Sequence, residues 1–331
     1  MSRYILRRAA FGFLVTWLVF TTVFFLMNGL GDPAAAVLGA NAQESQIRQF
    51  KEQKGLDRPL HEQYLSYLGL IPCVRRDSPA WSDDPGARKH CGILQGDLGE
   101  SYIHHDSVTR VIGHRLPRTL LLGVMAMVVE LVFGIGAGIF AGLRPGTTGD
   151  RAVMFGTYLG TSLPTYVTGP LALLVFAYLL GWFPVGGYGA TPLEHIQHGI
   201  LPALVLGIGG TAVYARVMRG EVIESMRQEY VRTARAKGVP EGRVILAHGI
   251  RNSLLPAVTM IGLSLPGLVS GAIITEKIFA WPGLGALTIE AINALDAPMV
   301  LAVTLLFAVM VQIGNLLADV GVALMDPRIQ Y

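Results

Sequence analysis

An all-α polytopic membrane protein with six transmembrane helices is the fold class that three observations predict. The first is composition. Of 331 residues, 52% are hydrophobic and only 15% charged, with a mean hydropathy of +0.48; a soluble chain of this size carries about 25% charged residues. The second is segmentation. Six stretches, roughly 9–30, 117–143, 152–180, 196–218, 253–275 and 298–325, reach the ~20 mostly apolar residues that cross a bilayer core. The third is the placement of Lys and Arg, which alternates between the connections as the positive-inside rule requires. The formal net charge of +3 gives no reason to invoke nucleic acid.

The first segment follows Arg3, Arg7 and Arg8, and its apolar run from Ala9 to Leu30 exceeds the ~7–15 residues of a signal-peptide core. It is therefore expected to remain as an anchor. With the N-terminus inside, the inner connections hold Arg144, Arg151 and the cluster from Arg216 to Arg251, whereas the two short outer loops hold only Lys277. Both termini are expected to be cytoplasmic. Pro164, Pro170, Pro202, Pro256 and Pro266 fall inside spans, where neighbouring helices can satisfy the freed backbone groups. The chain divides into residues 1–30, an extracytoplasmic segment 31–116, and a core 117–331 that includes a cytoplasmic loop at 219–251.

Within residues 31–116, Ile47 and Phe50 recur at i,i+3 from Ala42 onward, and Tyr64, Leu65 and Leu68 group between His61 and Leu70. Two helices are expected, separated by a turn at Gly55-Leu56-Asp57-Arg58-Pro59. Cys73 and Cys91, the two cysteines of the chain, bracket a loop rich in Pro, Asp and Arg. An oxidising outer face permits a disulfide, and closing a loop of this size contributes about 3 kcal/mol in the chain-entropy model. The competing readings are two unpaired thiols, or a metal held by both cysteines and His90, for which the spacing fits no usual zinc pattern. Gly96 to Ser101 reads as a tight turn, and Ser107 to Arg115 as an interfacial amphipathic helix with Val108, Val111 and Ile112 on one side. His104, His105 and His114 read either as pH sensors or as plain solvated side chains.

The cytoplasmic loop is basic, polar and rich in small residues. From Glu229 the chain runs Tyr230-Val231-Arg232-Thr233-Ala234-Arg235-Ala236-Lys237-Gly238, with Pro240 just beyond. Gly followed closely by Pro is a helix stop. Helical spacing places Met226, Tyr230, Thr233 and Ala234 on one face, with Gln228, Arg232 and Arg235 opposite. A second amphipathic piece runs from Gly242 to Asn252. Small residues near the tip and flanking arginines suit docking of a soluble protein; the alternative is a basic loop that binds anionic lipid.

This loop resembles the Glu-Ala-Ala loop of bacterial ATP-binding-cassette importer permeases. Arg232-Thr233-Ala234 stands where Glu-Ala-Ala would, Gly238 matches the invariant glycine of the pattern, and Leu255-Pro256 matches its downstream Leu-Pro. Arg in place of the acid, and a Leu-Pro about five residues late, resemble the dipeptide/oligopeptide/nickel branch. So do Tyr4-Ile5-Leu6-Arg7-Arg8, Gly96 to Ser101, Arg115 to Leu120, Glu276 to Gly285, and Asp326-Pro327-Arg328. The likeness covers essentially the whole chain, residues 72–95 least.

The resemblance implies a permease subunit of the bacterial cytoplasmic membrane, not an enzyme. Its partners would be a second permease subunit, two ATPase subunits and an extracytoplasmic substrate-binding protein, with di- or oligopeptides as cargo. No Gly-x-x-x-x-Gly-Lys-Ser/Thr loop occurs in the chain, so ATP and Mg belong to the ATPase subunits, and the chain itself is expected to bind no cofactor or metal. Residues 222–240 would form the coupling element, with Tyr230, Arg232, Thr233, Ala234, Arg235, Lys237 and Gly238 at its contact. Polar residues within spans are pathway or gate candidates. These are Glu130 on span two, Glu276 at the outer end of span five, and Asn315 and Asp319 on span six beside Gln312, where helix–helix bonding is the competing role. Two other functions stay in view: a nickel or small-solute permease of the same branch, and an ion-coupled secondary transporter, which predicts internal repeats.

Overall fold

The computed structural model describes residues 2–39, 41–73, 90–254, 256–257, 260–261 and 272–325, with backbone alone at 2–6 and 317–325. Helices account for nearly all regular structure, and among the described residues the one β pairing is an isolated antiparallel bridge between Glu100 and Ser107. In chain order the helices are α1 (Ser2–Leu30), α2 (Pro33–Leu38), α3 (Glu44–Lys54), α4 (Leu60–Leu68), α5 (Val108–Leu143), α6 (Thr148–Ser162), α7 (Thr165–Ala172), α8 (Pro192–Arg227) and α9 (Glu229–Ala236). They continue with α10 (Glu241–Arg243), α11 (Arg251–Ser253), α12 (Ala272–Ile278), α13 (Leu284–Asn293) and α14 (Ala297–Met325). α1, α5, α8 and α14 are long and apolar enough to cross a membrane, and α6 with α7 makes a fifth span if the bent pair counts as one. The fifth segment expected from sequence, 253–275, lies largely outside the described residues.

Three expectations need correction. The segment 152–180 is not one straight span: α6 and α7 meet at 102°. Leu163 precedes Pro164 and is extended at φ −94°, ψ 116°, as the clash between a proline ring and the preceding residue demands. A π-helical turn, Leu173–Leu179, then continues α7. Second, Ser107 to Arg115 does not form a separate interfacial helix. It is the first turns of α5, which runs on through Pro117 with Val108 and Ile112 buried. Third, α8 begins four residues earlier and ends nine residues later than the expected span 196–218. Thr191 caps it by accepting the Glu194 N–H, Pro192 fits the first helical position, and the Glu194 carboxylate reaches back to the Ala190 N–H at 2.7 Å.

The chain forms two compact units. In the unit built chiefly from residues 118–286, α5 and α8 run parallel with their backbones close together. Gly134, Gly138 and Gly142 repeat every four residues on α5, and a Cβ at each would meet Tyr214, Met218 and Val222. From α8, Gly207 returns the fit, where a Cβ would lie 2.8 Å from the Ala126 carbonyl oxygen. In lipid there is no hydrophobic drive between helices, so such close approach supplies the packing that replaces it. Met218, Val222 and Ala257 are buried there with Ile135, Ile139 and Leu143 around them. Outward-facing residues such as Phe133, Phe155, Leu159 and Leu179 remain exposed, as lipid-facing side chains do.

The other unit holds residues 6–117 and 287–309. Phe20 and Phe24 of α1 pack with Leu301, under Tyr64, Tyr67 and Leu68 of α4. Gln43 and Gln46 form a reciprocal capping box on α3, and Gly55 and Gly69 end α3 and α4 in left-handed conformation. The two helices expected within residues 31–116 and the turn between them are thus present, and Cys73 and Cys91 are joined by a disulfide with their Cα atoms 5.2 Å apart.

Candidate functional site

α9 is a short helix at the end of α8, set off by one extended residue, Gln228 (φ −67°, ψ 150°). Gln228 accepts the Val231 and Arg232 N–H groups at 3.1 and 3.3 Å and so opens the new helix. At its far end Gly238 has φ 74°; its N–H reaches the Arg235 carbonyl at 2.9 Å, and the Val239 N–H reaches Ala234 at 3.3 Å. Both bonds of a Schellman stop are present, as the glycine foreshadowed.

The buried face of α9 differs from the expected one. Val231 and Ala234 are buried against Val244, Met226 and Val239, while Tyr230 is 41% exposed and Thr233 is exposed. The kink at Gln228 is the reason: it breaks the helical register that would have placed Met226 with Tyr230. Tyr230 instead bonds through its hydroxyl to Ser225 Oγ at 2.9 Å, and Ser225 donates to the Gly249 carbonyl at 2.9 Å. Those two bonds tie α9, the end of α8 and the π-helical turn Val244–Ile250 into one body. Arg232, Arg235, Lys237 and Gly238 are exposed. Arg232 pairs with Glu229 at 2.8 Å, and Arg235 forks onto Glu241 at 2.7 and 3.2 Å. The hydrogen bonds from Arg235 hold the Glu241 carboxyl below the usual carboxylate range. The outcome is an exposed, basic tip fastened to the end of α8 and the turn Val244–Ile250.

α8 carries that tip. On it Arg219 clasps Asp150, in the first turn of α6, through two bonds of 2.6 and 2.8 Å, and Asp150 also accepts the Gly146 N–H at 2.8 Å. Neither partner stands out in the sequence, because an Arg on a basic loop and an Asp near a helix start are each ordinary.

Glu276 is fully buried on α12. Its carboxylate accepts the Thr119 hydroxyl at 2.7 Å and the Ala286 N–H at 3.0 Å, and Thr119 in turn accepts the Leu284 N–H at 2.7 Å. Gly283 and Gly285 leave the room, since a Cβ at either would run into that carboxyl. The Glu276-to-Gly285 motif is therefore a loop folded around its own acid. Glu130 on α5 is half-buried with its carboxyl against Gly210 of α8. Asn315 is half-buried on α14, and the side chain of Asp319 lies outside the described residues. Among the described residues no three His, Cys, Asp or Glu side chains gather as a metal site.

In the other unit Asp296, absent from the sequence-derived candidates, is fully buried. It accepts the Ser101 hydroxyl at 2.5 Å, the Tyr102 N–H at 3.1 Å and the Met299 N–H at 3.4 Å. The signal for it was an Asp just ahead of Ala-Pro and a long apolar run, a helix start. Burial raises the nearby Tyr102 hydroxyl to about 12 and also pushes the Tyr67 hydroxyl well above its ordinary value. Asp97 joins the glycine turn to the disulfide by accepting the Gly99 N–H at 2.9 Å and the Cys91 N–H at 2.8 Å.

The family follows from comparison with known proteins. A model described as "Binding-protein-dependent transport system inner membrane component" matches residues 134–331, and its N-terminal companion matches residues 1–123. The chain belongs to this family. It is an importer permease of the peptide/nickel branch of ATP-binding-cassette systems. Its full length aligns with the full length of the oligopeptide transport system permease protein AppB of Bacillus subtilis at 34% identity. It aligns equally completely with the glutathione transport system permease protein GsiC of Salmonella typhi and of Escherichia coli, at 35% identity.

Proposed function

We propose that this chain is one membrane-spanning half of an ATP-driven importer of di- or oligopeptides, with α9 as the helix through which ATPase subunits move it. The observation that carries the reading is the build of α9: a basic, exposed tip stopped by Gly238 and fastened through Val231, Ala234 and the Tyr230–Ser225–Gly249 chain to the end of α8. α8 is continuous over 36 residues, so at 1.5 Å per residue a push on α9 is delivered about 54 Å away. The name of the Bacillus relative, an oligopeptide permease, supports the cargo.

In this reading the chain has six spans, with both termini and α9 on the cytoplasmic face and residues 31–116 outside. It works beside a second permease subunit, over two ATPase subunits that carry ATP and Mg, and receives peptide from an extracytoplasmic binding protein. Closure of the ATPases draws the coupling helices together and rotates the spans as rigid bodies between inward-open and outward-open states. The buried positions argue for the test. Ala234 is part of the packing, so replacing it tests folding; Thr233 is exposed and tests docking. A Thr233→Cys chain carrying a short thiol-reactive crosslinker should capture an ATPase subunit in intact membranes, and Thr233→Trp should stop peptide uptake while the complex still inserts. Uptake that persists in Thr233→Trp with no ATPase captured would sink the reading.

A further inference from the structure

At the end of α8 remote from α9, a cationic side chain is held in place with no acid paired to it among the described residues. Arg118 of α5 is half-buried, and its guanidinium lies 5.0 Å from the ring centroid of Tyr188. Tyr188 is itself fixed on both sides. It stacks on His195 with centroids 3.8 Å apart and meets the edge of Trp281 at 4.9 Å. The His195 Nδ1–H donates to the Tyr188 carbonyl at 2.8 Å, and His198 Nδ1–H secures the same loop at the Gly186 carbonyl, also at 2.8 Å. The backbone of Arg118 is pinned as well: the buried Trp281 donates its indole N–H to the Arg118 carbonyl at 3.0 Å.

The carboxylates on the packed elements are spoken for. Glu276, one residue removed through Thr119, accepts from Thr119 and Ala286, and Glu194 accepts from Ala190. No salt bridge among the described residues includes Arg118. Stacking on an aromatic face covers one side of a guanidinium and leaves its in-plane N–H fork available, the geometry that matches a planar carboxylate or a phosphate. The level is also informative. From Arg118 to Gly142, which faces Val222 near the exit of α8, α5 rises 24 residues, about 36 Å. That exceeds the ~30 Å hydrocarbon core, so Arg118 sits at the opposite membrane surface from the coupling helix.

We propose that Arg118, presented by Tyr188 and Trp281, is an oxyanion-binding site at the extracytoplasmic mouth of this permease. Its ligand is a carboxylate or a phosphate. Two sources carry that chemistry there: the C-terminal carboxylate of an arriving peptide, which rests on the importer reading above, and the headgroup of an anionic lipid, which does not.

The test uses the assembled transporter, purified with its partner subunits in nanodiscs. In one arm, saturation-transfer NMR compares trialanine with trialanine amide in phosphatidylcholine discs. In the other, native mass spectrometry counts phosphatidylglycerol retained from mixed discs. If the peptide is the source, wild type favours the free acid, Arg118→Gln cuts the free-acid signal about tenfold to the level of the amide, and Arg118→Lys, which keeps the charge but loses the fork, falls between them. If lipid is the source, Arg118→Gln instead sheds the retained phosphatidylglycerol and leaves both peptides alike. Tyr188→Phe preserves the ring and should match wild type in either arm, whereas Tyr188→Leu removes the platform and should behave as Arg118→Gln. Equal peptide signals and equal lipid retention in wild type and an assembled Arg118→Gln complex overturn the site. That result leaves the importer reading intact if the ATPase subunits still co-purify and peptide uptake continues; loss of both in wild type would count against the importer reading instead.

Discussion

Arg219 and Asp150 meet as a two-pronged ion pair, with Nε to Oδ1 at 2.6 Å and Nη2 to Oδ2 at 2.8 Å, and the Asp150 side chain is only 3% exposed. The pair fastens α8 to the first turn of α6 two turns before α8 gives way to α9. Any push on α9 must therefore move α6 with it. Asp150→Asn removes the charge and strands Arg219 beside a neutral amide, and breaking one partner of a sheltered pair costs more than the pair itself contributes. The expected outcome is peptide uptake reduced about tenfold, with ATP hydrolysis by the purified complex persisting, so that more ATP is spent per peptide. Arg219→Lys with Asp150 in place keeps the charge but loses the fork, and should retain part of the coupling. A Asp150→Asn complex whose ratio of ATP hydrolysed to peptide taken up equals that of wild type would refute the linkage.

Gly138 sets how closely α5 and α8 approach. A Cβ there would lie 2.7 Å from the Ala215 carbonyl oxygen and collide with Met218 Cβ, both fixed atoms. Gly138→Ala should therefore cost about 1–3 kcal/mol through overpacking, read as a lower melting temperature in detergent. Gly136, one turn-face away, meets nothing within 4 Å, so Gly136→Ala is the control and should melt as wild type does.

What could be read from the sequence, and what could not, follows from where the information resides. The spans near 9–30, 117–143, 196–218 and 298–325, the two helices within residues 31–116 and the stop at Gly238 are written in runs and spacings a few residues long, and they survive folding. The bend at Leu163-Pro164 was equally local: the proline was visible, but an extended residue ahead of it and a helix kinked through it are alternatives that only the tertiary setting decides. The face of α9 was misread because its register depends on Gln228 leaving helical conformation, and no periodicity marks that residue. Glu130 and Glu276 were visible as acids in apolar surroundings. Their partners were not, since Thr119 lies 157 residues from Glu276. Asp150 and Asp296 drew no attention for the same reason, and Arg118 stood out only as part of the Arg115-to-Leu120 motif. Each is a common residue type whose role is created by a neighbour distant in the chain.

Gly238 is required for its backbone. At φ 74° a side chain meets its own carbonyl, a cost of about 1 kcal/mol for Ala and less for Asn, which tolerates the left-handed region. A Cβ at Gly238 would touch nothing, so the penalty is conformational alone. Gly238→Ala should fray the end of α9, seen as faster amide exchange at Val239, with a modest drop in uptake. Gly238→Asn should restore most of both. Equal exchange at Val239 in all three would show that the left-handed stop contributes nothing.

Asp296 organises its unit from the inside. Asp296→Ala leaves the Ser101 hydroxyl and the Tyr102 N–H unpaired in a buried place, and each such group costs about 1–3 kcal/mol. Limited proteolysis should then cut between residues 96 and 107, a stretch that in wild type is closed by the Glu100–Ser107 bridge. Asp296→Asn keeps one acceptor oxygen and should resist cleavage better. If both variants are cut at the wild-type rate, the buried carboxylate is not what holds the turn.

Asp97 gives the disulfide-bearing segment an acid limit. Burial pushes its carboxyl up, but the adjacent His90 ring, whose Nδ1 lies 3.3 Å from the carboxylate, and the hydrogen bonds from the Cys91 and Gly99 amides outweigh that and hold it at about 2. A carboxyl lowered on folding stabilises the fold fully above its unfolded value, near 3.9 for Asp, and that contribution disappears as pH falls through the folded value. The window is therefore about pH 4 down to about pH 2, with nothing expected between pH 5 and 8. The side chain is 37% exposed, so solvent screening keeps the effect modest. The local readout is sharper than global stability: the Cys91 and Gly99 amides, donors at 2.8 and 2.9 Å to Asp97, should lose protection from hydrogen exchange as pH drops across that window, after correction for intrinsic rates. Asp97→Asn keeps an acceptor for one amide but cannot titrate. Its protection should start lower and stay level with pH, and a wild-type profile equally level would show that the carboxylate is not the group that ties the glycine turn to the disulfide.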